Sequence, residues 1–248
     1  MIHTCAFTVA IGQVADLDVP AVSDDVLTIQ NNHFFPNVSY DLVAAAAMSA
    51  TVNRAKIVSP SLRVVANPFI RPIILAALPP ALPAIADYRS NPFQLPAEEE
   101  LAIQGTSDLG AATERFNALL WLSNGITTPP RGRTFTIRGT STTAAVANTW
   151  TSQPTISWSD TLPTGRYAVV GLNYIATNGV AARVIFPGQL ERPGVLAGAT
   201  NGVQPDPMFG KGRLGVLGYF YTYAMPIIQV FNNGTDAAHT YFLDLVKI

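Results

Sequence analysis

The chain has 248 residues, 48% of them hydrophobic and 12% charged, with a net charge of −1 at pH 7. Such a chain can bury a sizeable core in one large or two small domains, and its charge share is about half the usual ~25%. Nothing in the overall charge speaks for a nucleic-acid partner, and the single cysteine, Cys5, excludes an internal disulfide.

The N-terminus, MIHTCAFTVAIG, lacks the positive n-region of a signal peptide. Asp16, Asp18, Asp24, Asp25 and Asp41 all precede the first basic residue, Arg54, so no basic arm is present to neutralise phosphates. Asp24-Asp25 reads as a turn, with a Ca²⁺ bridge between subunits as the alternative. The segment YDLVAAAAMSATVNRA passes for a helix on alanine propensity alone. Its later counterpart, YAVVGLNYIAT, is valine-rich and broken by Gly171 and Asn173. A strand is therefore predicted over 39–52, with a helix as the runner-up. The run PIILAALPPALPAIA is interrupted by Pro79, Pro80 and Pro83 and falls short of the ~18 apolar residues of a membrane span. Further apolar runs follow as FNALLWLSNG, TISWSD, RYAVVGL, AARVIFPG, GYFYTYAMPIIQVFNNG and HTYFLDLVKI. Short runs divided by Asn-Gly and Pro turns, with no helical patterns between them, predict an all-β chain of sandwiches or barrels.

The chain also repeats itself. VSPSLRVVANPFIRPIILA and VAARVIFPGQLERPGVLAG share an Arg-Val pair followed by Arg-Pro-x-x-Leu-Ala. Phe7-Thr8-Val9 is echoed by Phe135-Thr136-Ile137, Pro36 and Tyr40 by Pro163 and Tyr167, and Thr51 by Thr177. Arg63-Val64 is echoed by Arg183-Val184, and Arg71-Pro72 by Arg192-Pro193. The echoes keep one order along the chain, as two copies of a duplicated domain would. The repeat signature is thus Tyr40, Arg63, Arg71 and Pro72 in one copy and Tyr167, Arg183, Arg192 and Pro193 in the other. The join falls in SNGITTPPRGR, residues 123–133, and the domains are 1–126 and 127–248.

Signs of catalysis are missing from the sequence. His3, His33 and His239 are far apart, no HxH or HExxH occurs, and one cysteine makes no structural zinc site. GKGRLG, residues 210–215, matches G-x-G-x-x-G but precedes a strand rather than a helix, so it reads as a glycine hairpin with Lys211 and Arg213 in solvent. Glu98, Glu99 and Glu100 splay across both faces of any strand they start and read as a solvated or inter-subunit edge. GTSDLG lacks the spacing of a nucleophile elbow. The expectation is a non-enzyme with no cofactor, no metal and no catalytic residue.

The two copies, PNVSYDLVAA…NRAKIVSPSLRV…RP and PTGRYAVVGL…AARVIFPG…RPGVLA, resemble the double jelly-roll major capsid proteins of icosahedral bacteriophages. The resemblance covers nearly the whole chain as a pattern and layout. It implies two tandem jelly-roll β-sandwiches and a homotrimer with a pseudo-hexagonal footprint that tiles an icosahedral shell. It also implies a virion location after synthesis in the host cytoplasm. The implied partners are the chain itself, neighbouring capsomers and other virion proteins, with an internal membrane beneath the shell left open and no direct sequence-specific binding of nucleic acid. Phe34, Phe35, Phe93, Phe209 and Tyr88 are candidate interface anchors, with core packing the equal alternative for each. Rival readings are a bicupin enzyme, a minor capsid or vertex protein of the same fold, and a carbohydrate-binding or adhesion module (spike or fibre) using Trp121, Trp150 or Trp158 as sugar platforms.

Overall fold

The computed structural model describes residues 1–12, 14–49, 52, 54–64, 68–70, 73–74, 85–107, 114–198 and 207–248. Strands dominate, and among the described residues the helical turns are the 3-10 segments Ser61–Val64 and Pro207–Phe209. Contacts divide the chain into two compact units, Cys5–Asn124 on one hand and Gly125–Ile248 with Met1–Thr4 on the other. This differs from a division into 1–126 and 127–248 at the first strand and by two residues at the join. Thr4 N donates to Arg192 O at 2.9 Å, Arg192 N donates to His3 Nδ1 at 3.2 Å, and the Met1 ammonium donates to the Gly125 carbonyl. These hydrogen bonds draw the first four residues into the later unit.

The earlier strands are β1 (Ile2–Ile11), β2 (Val14–Val19), β3 (Thr28–Gln30), β4 (His33–Phe35), β5 (Tyr40–Met48) and β6 (Arg54–Val58), followed by β7 (Phe69–Ile70), β8 (Ile73–Ile74), β9 (Ala86–Asp87), β10 (Phe93–Leu95), β11 (Ala102–Ser107) and β12 (Glu114–Ser123). One sheet runs β1-β12-β5-β10, with β8 and β9 also on β5, and the other runs β2-β11-β6-β7. The later strands are β13 (Thr134–Ser141), β14 (Trp150–Gln153), β15 (Ser157–Trp158), β16 (Arg166–Ile175), β17 (Gly179–Ile185), β18 (Gly194–Gly198), β19 (Gly218–Tyr221), β20 (Ile227–Asn232) and β21 (His239–Lys247). Their order is β14-β20-β17-β18-β16-β21-β13-β15, with β19 on β16. In both units the chain alternates between one group (β1, β5, β10, β12; β13, β16, β19, β21) and another (β2, β6, β7, β11; β14, β17, β18, β20). This alternation is the jelly-roll order. The fold is all-β, two tandem jelly-roll sandwiches.

The alanine run is a strand. Residues Tyr40–Met48 pair with β12 on one edge and with β8, β9 and β10 on the other. The ladder on both sides satisfies the backbone, so tertiary pairing overrides the helical preference of alanine. Small side chains also let the large ones of the opposing layer close in. Phe7, Phe34, Phe116 and Ile103 fill the core that Ala45 and Ala47 face.

A bulge sets which residues face that core. In β5 the register runs Leu42↔Leu122 and then Ala44↔Trp121, leaving Val43 as the extra residue. In β16 it runs Val169↔Leu245 and then Gly171↔Asp244, leaving Val170 as the extra residue. Such an insertion reverses the alternation of faces. The inward set is accordingly Tyr40, Leu42, Ala45 and Ala47 in β5. In β16, Tyr167, Val169, Leu172 and Tyr174 are buried in the same sequence of positions. On the opposite face Ala168 and Val170 pack with Val216 and Val246.

Gly171 stands where β5 has Ala44, and the difference has a steric cause. A Cβ at Gly171 would come within 2.4 Å of Asp244 Oδ2 and 3.0 Å of Asp244 Cβ. Asp244 is fixed there by Thr136 Oγ1, which donates at 2.6 Å, and by Lys211 N, at 3.1 Å. Gly171→Ala is expected to lower stability by about 1–3 kcal/mol through overpacking. Gly12→Ala, where a Cβ meets nothing within 4 Å, should stay within about 0.5 kcal/mol. Denaturant unfolding of the two variants checks the contrast.

Candidate functional site

The repeat signature separates when mapped onto the ladders. Tyr40 opposes Leu95 of β10 and Tyr167 opposes Phe220 of β19, so the two tyrosines hold the same place in their units. Tyr167 OH donates to Pro163 O at 2.7 Å, and its ring stacks on Phe220 and meets Phe135 edge-on. Arg183 opposes Gln229 within β17, buried, with its guanidinium 4.4 Å from the Trp150 ring and Nε donating to Gln229 Oε1 at 2.7 Å. The residue opposite the matching glutamine, Gln104, is Lys56. Arg63 instead lies on the 3-10 turn beyond β6. The shared Arg-Val dipeptide is therefore out of register, and the true counterpart of Arg183 is Lys56.

The proline echo is corrected in the same way. Val184 N donates to Pro193 O at 2.8 Å, and in the earlier unit Ile57 N donates to Pro68 O at 2.9 Å. Pro68, preceded by Asn67 rather than arginine, is the counterpart of Pro193. Arg71 and Pro72 lie outside the described residues. Arg192 spans the turn before β18, with Nη1 donating to Gln189 O at 2.7 Å.

The acidic and glycine motifs serve local structure. Asp24 Oδ1 accepts from Val26 N and Leu27 N, closing a turn. Glu99 accepts from Ser61 N at 2.6 Å and from the Ser59 hydroxyl, and Glu100 pairs with His33 at 2.5 Å. Residues 210–215 form a turn seated on the bulge, since Gly212 N donates to Val170 O at 2.5 Å and Gly212 has φ +80° against Pro129. Any side chain there would meet the proline ring. Lys211 and Arg213 are exposed. Phe34 and Phe209 are core residues, as is Trp121. Phe35 and Phe93 are half-buried, and Tyr88 meets Phe93 edge-on.

Buried polar groups converge at one place in the later unit, which the sequence did not announce. Asp236 accepts from Asn178 N (2.7 Å), Asn178 Nδ2 (2.9 Å) and Asn232 Nδ2 (2.9 Å). Tyr174 OH donates to Asn232 Oδ1 at 2.8 Å and lies 3.0 Å from His239 Nδ1. His239 Nε2 faces two carbonyls, those of Thr143 and Asp236, at 3.0 and 3.1 Å, and two acceptors require a proton on that nitrogen. The Tyr174 ring stacks on both Tyr241 and His239. Burial pushes the hydroxyls of Tyr174 and Tyr241 well above the ordinary tyrosine range. The network ties β16, β20 and the turn before β21 together, and every polar contact named in it is internal. Among the described residues no group of three or more His, Cys, Asp or Glu is placed to hold a metal ion.

Two exposed aromatics lie together elsewhere, on β19 and the turn after it. Tyr221 is 44% exposed and Tyr223 81%. Their rings stack at 5.1 Å and 16°. Arg166, opposite Tyr221 in the ladder, holds its guanidinium 4.6 Å from the Tyr219 ring and 5.9 Å from Tyr221. The sequence carried a period-2 signal for this surface in GYFYTY, where Tyr219, Tyr221 and Tyr223 alternate with Phe220 and Thr222. Trp150, by contrast, lies under Arg183, and Trp158 is half-buried against Gly139.

No protein-family model matches the chain, and no curated protein matches it. Among solved structures, the major capsid protein P2 from bacteriophage PM2 is similar at 10% identity, over 100% of this chain and 98% of that one. The TM-score is 0.27, and a likeness of that size carries no argument about fold or function.

Tyr174→Phe removes the hydroxyl shared by Asn232 and His239 and is expected to cost about 1–3 kcal/mol in denaturant unfolding. Alkaline pH should destabilise the chain too. A tyrosine whose folded pKa is raised keeps a proton that the unfolded chain releases. Its contribution is complete below the unfolded value of about 10 and is lost as pH rises above it. The melting temperature should fall between about pH 9.5 and 11, and less steeply in Tyr174→Phe.

Proposed function

We propose that this chain is a structural subunit, the coat protein of an icosahedral bacteriophage, that assembles with copies of itself and catalyses nothing. The supporting observation is the pairing of two jelly rolls in one chain, with the same strand order and the same bulge at Val43 and Val170. Two like units per chain give a symmetric assembly twice as many like building blocks as it has copies. Because they are covalently joined, the two can diverge to make different contacts. Three copies then supply six units around one axis, the pseudo-hexagonal trimer from which a shell is tiled. Symmetric assemblies reuse the same patches in every copy, so such a chain needs neighbours rather than a substrate.

The chemistry of the interior agrees with that reading. Asp236, Asp244, Arg183 and His239 are all buried and engaged with internal partners. Exposed apolar side chains, Leu190, Val146, Ile126 and Ile227 among them, remain available to bury between subunits. The partners proposed are further copies, other virion proteins and, where the virion has one, an inner membrane. The chain would reside in the virion.

Sedimentation and electron microscopy of the purified chain test the proposal. Trimers and larger closed particles are expected. A strict monomer at high protein concentration overturns it.

A further inference from the structure

The two units carry opposite charge. Residues 5–124 hold eleven acidic and six basic side chains, a formal charge of −5, and residues 125–248 hold five acidic and nine basic, a formal charge of +4. In the acidic unit three of the six basic groups are seen to be occupied internally. Asp16 holds Arg54 at 3.6 Å and Lys56 at 3.1 Å, and Asp87 holds Arg89 at 2.6 Å. In the basic unit two of the five carboxylates, Asp236 and Asp244, are buried among neutral donors. Arg131, Arg133, Arg138, Arg166 and Lys247 are exposed and form no ion pair among the described residues.

Arg166 is the cation that the fold has positioned. It sits over Tyr219 and Tyr221 (4.6 and 5.9 Å) while Tyr223 stacks on Tyr221, and Lys247 lies over Gly165 one residue away. Stacking fixes the guanidinium and the tyrosine rings before any partner arrives, so little side-chain freedom remains to be lost on contact. Arginine and tyrosine in one exposed cluster is the composition of an interface hot spot.

We propose that this patch, Arg166, Lys247, Tyr219, Tyr221 and Tyr223, docks onto the acidic unit, residues 5–124, of a second copy of the chain. The inference rests on the self-assembly reading and names the surface by which it proceeds. Charge decides the occupant. Each copy brings an excess of the complementary sign in its other unit, whereas a polyanion such as nucleic acid would meet repulsion from the −5 unit of the same chain. The contact is heterologous, so it leaves a free patch at one end and a free acidic face at the other, and copies add until the rotation closes a ring.

The test is sedimentation velocity of the full chain over a concentration series, at about 50 mM and about 0.5 M salt, where screening lengths differ roughly threefold. The variants are Arg166→Glu and Tyr223→Ser. Wild-type chain is expected to associate at low salt and to weaken at high salt, and each variant to associate about tenfold or more weakly at low salt with an unchanged melting temperature. Tyr223→Ser carries the test if Arg166→Glu disturbs the fold. Variants that associate as well as wild type, or association indifferent to salt, overturn this surface while leaving self-assembly intact. A wild-type chain that stays monomeric overturns both. Wild-type tyrosine fluorescence that responds to soluble oligosaccharides, in place of association, assigns the patch to sugar and overturns the proposal.

Discussion

The whole architecture turns on one extra residue in a long strand. Val43 in β5 and Val170 in β16 are each inserted into an antiparallel ladder, and each switches the strand from one alternation to the other. Without that switch, residues after the insertion would present their other face to the core, and Ala45 and Ala47, or Leu172 and Tyr174, would point away from it. In the later unit the bulge is also an anchor. Val170 O accepts from Gly212 N, and Val169 O from Leu217 N, so the segment before β19 is seated by the same irregularity. From this follow the placement of β19 and the exposed position of its tyrosines.

The two units use a common frame for different chemistry. Lys56, Gln104 and Asp18 cross β6, β11 and β2 in one unit, where Gln104 Nε2 donates to Asp18 at 2.7 Å. At the same places in the other unit stand Arg183, Gln229 and Ser152, with Gln229 Nε2 donating to Ser152 at 3.3 Å. The glutamine persists while its neighbours change, and the cation passes from a half-exposed lysine to a buried arginine over Trp150. Duplication followed by divergence leaves this trace, with register kept and identity altered.

That trace explains what the sequence made legible and what it hid. Tyr40 and Tyr167 were readable because an aromatic at the start of a buried strand is retained in both units. The strand nature of the alanine run was readable because its valine-rich counterpart removes the ambiguity. Arg63 misled because a shared dipeptide need not share register: it lies on the turn beyond β6, while Lys56 holds the ladder place of Arg183. The real equivalences, Lys56 with Arg183 and Pro68 with Pro193, share hydrogen bonds rather than spelling. The network was invisible because Asn232, Asp236 and His239 read as an ordinary turn between two strands, and Tyr174 and Asn178, which complete it, stand more than fifty residues away in sequence.

The first strand carries a consequence for biosynthesis. His3 finds its partner Arg192 at a sequence separation of 189 residues, and Thr4 bonds to the same residue. On a ribosome adding about 5–20 residues per second, that partner emerges roughly ten to forty seconds after His3. The bonds of His3 and Thr4 to Arg192 therefore form only once the turn before β18 has been made, well after β12, the ladder neighbour of β1, has been synthesised. The opening residues of β1 are thus synthesised long before the partner that completes their bonding.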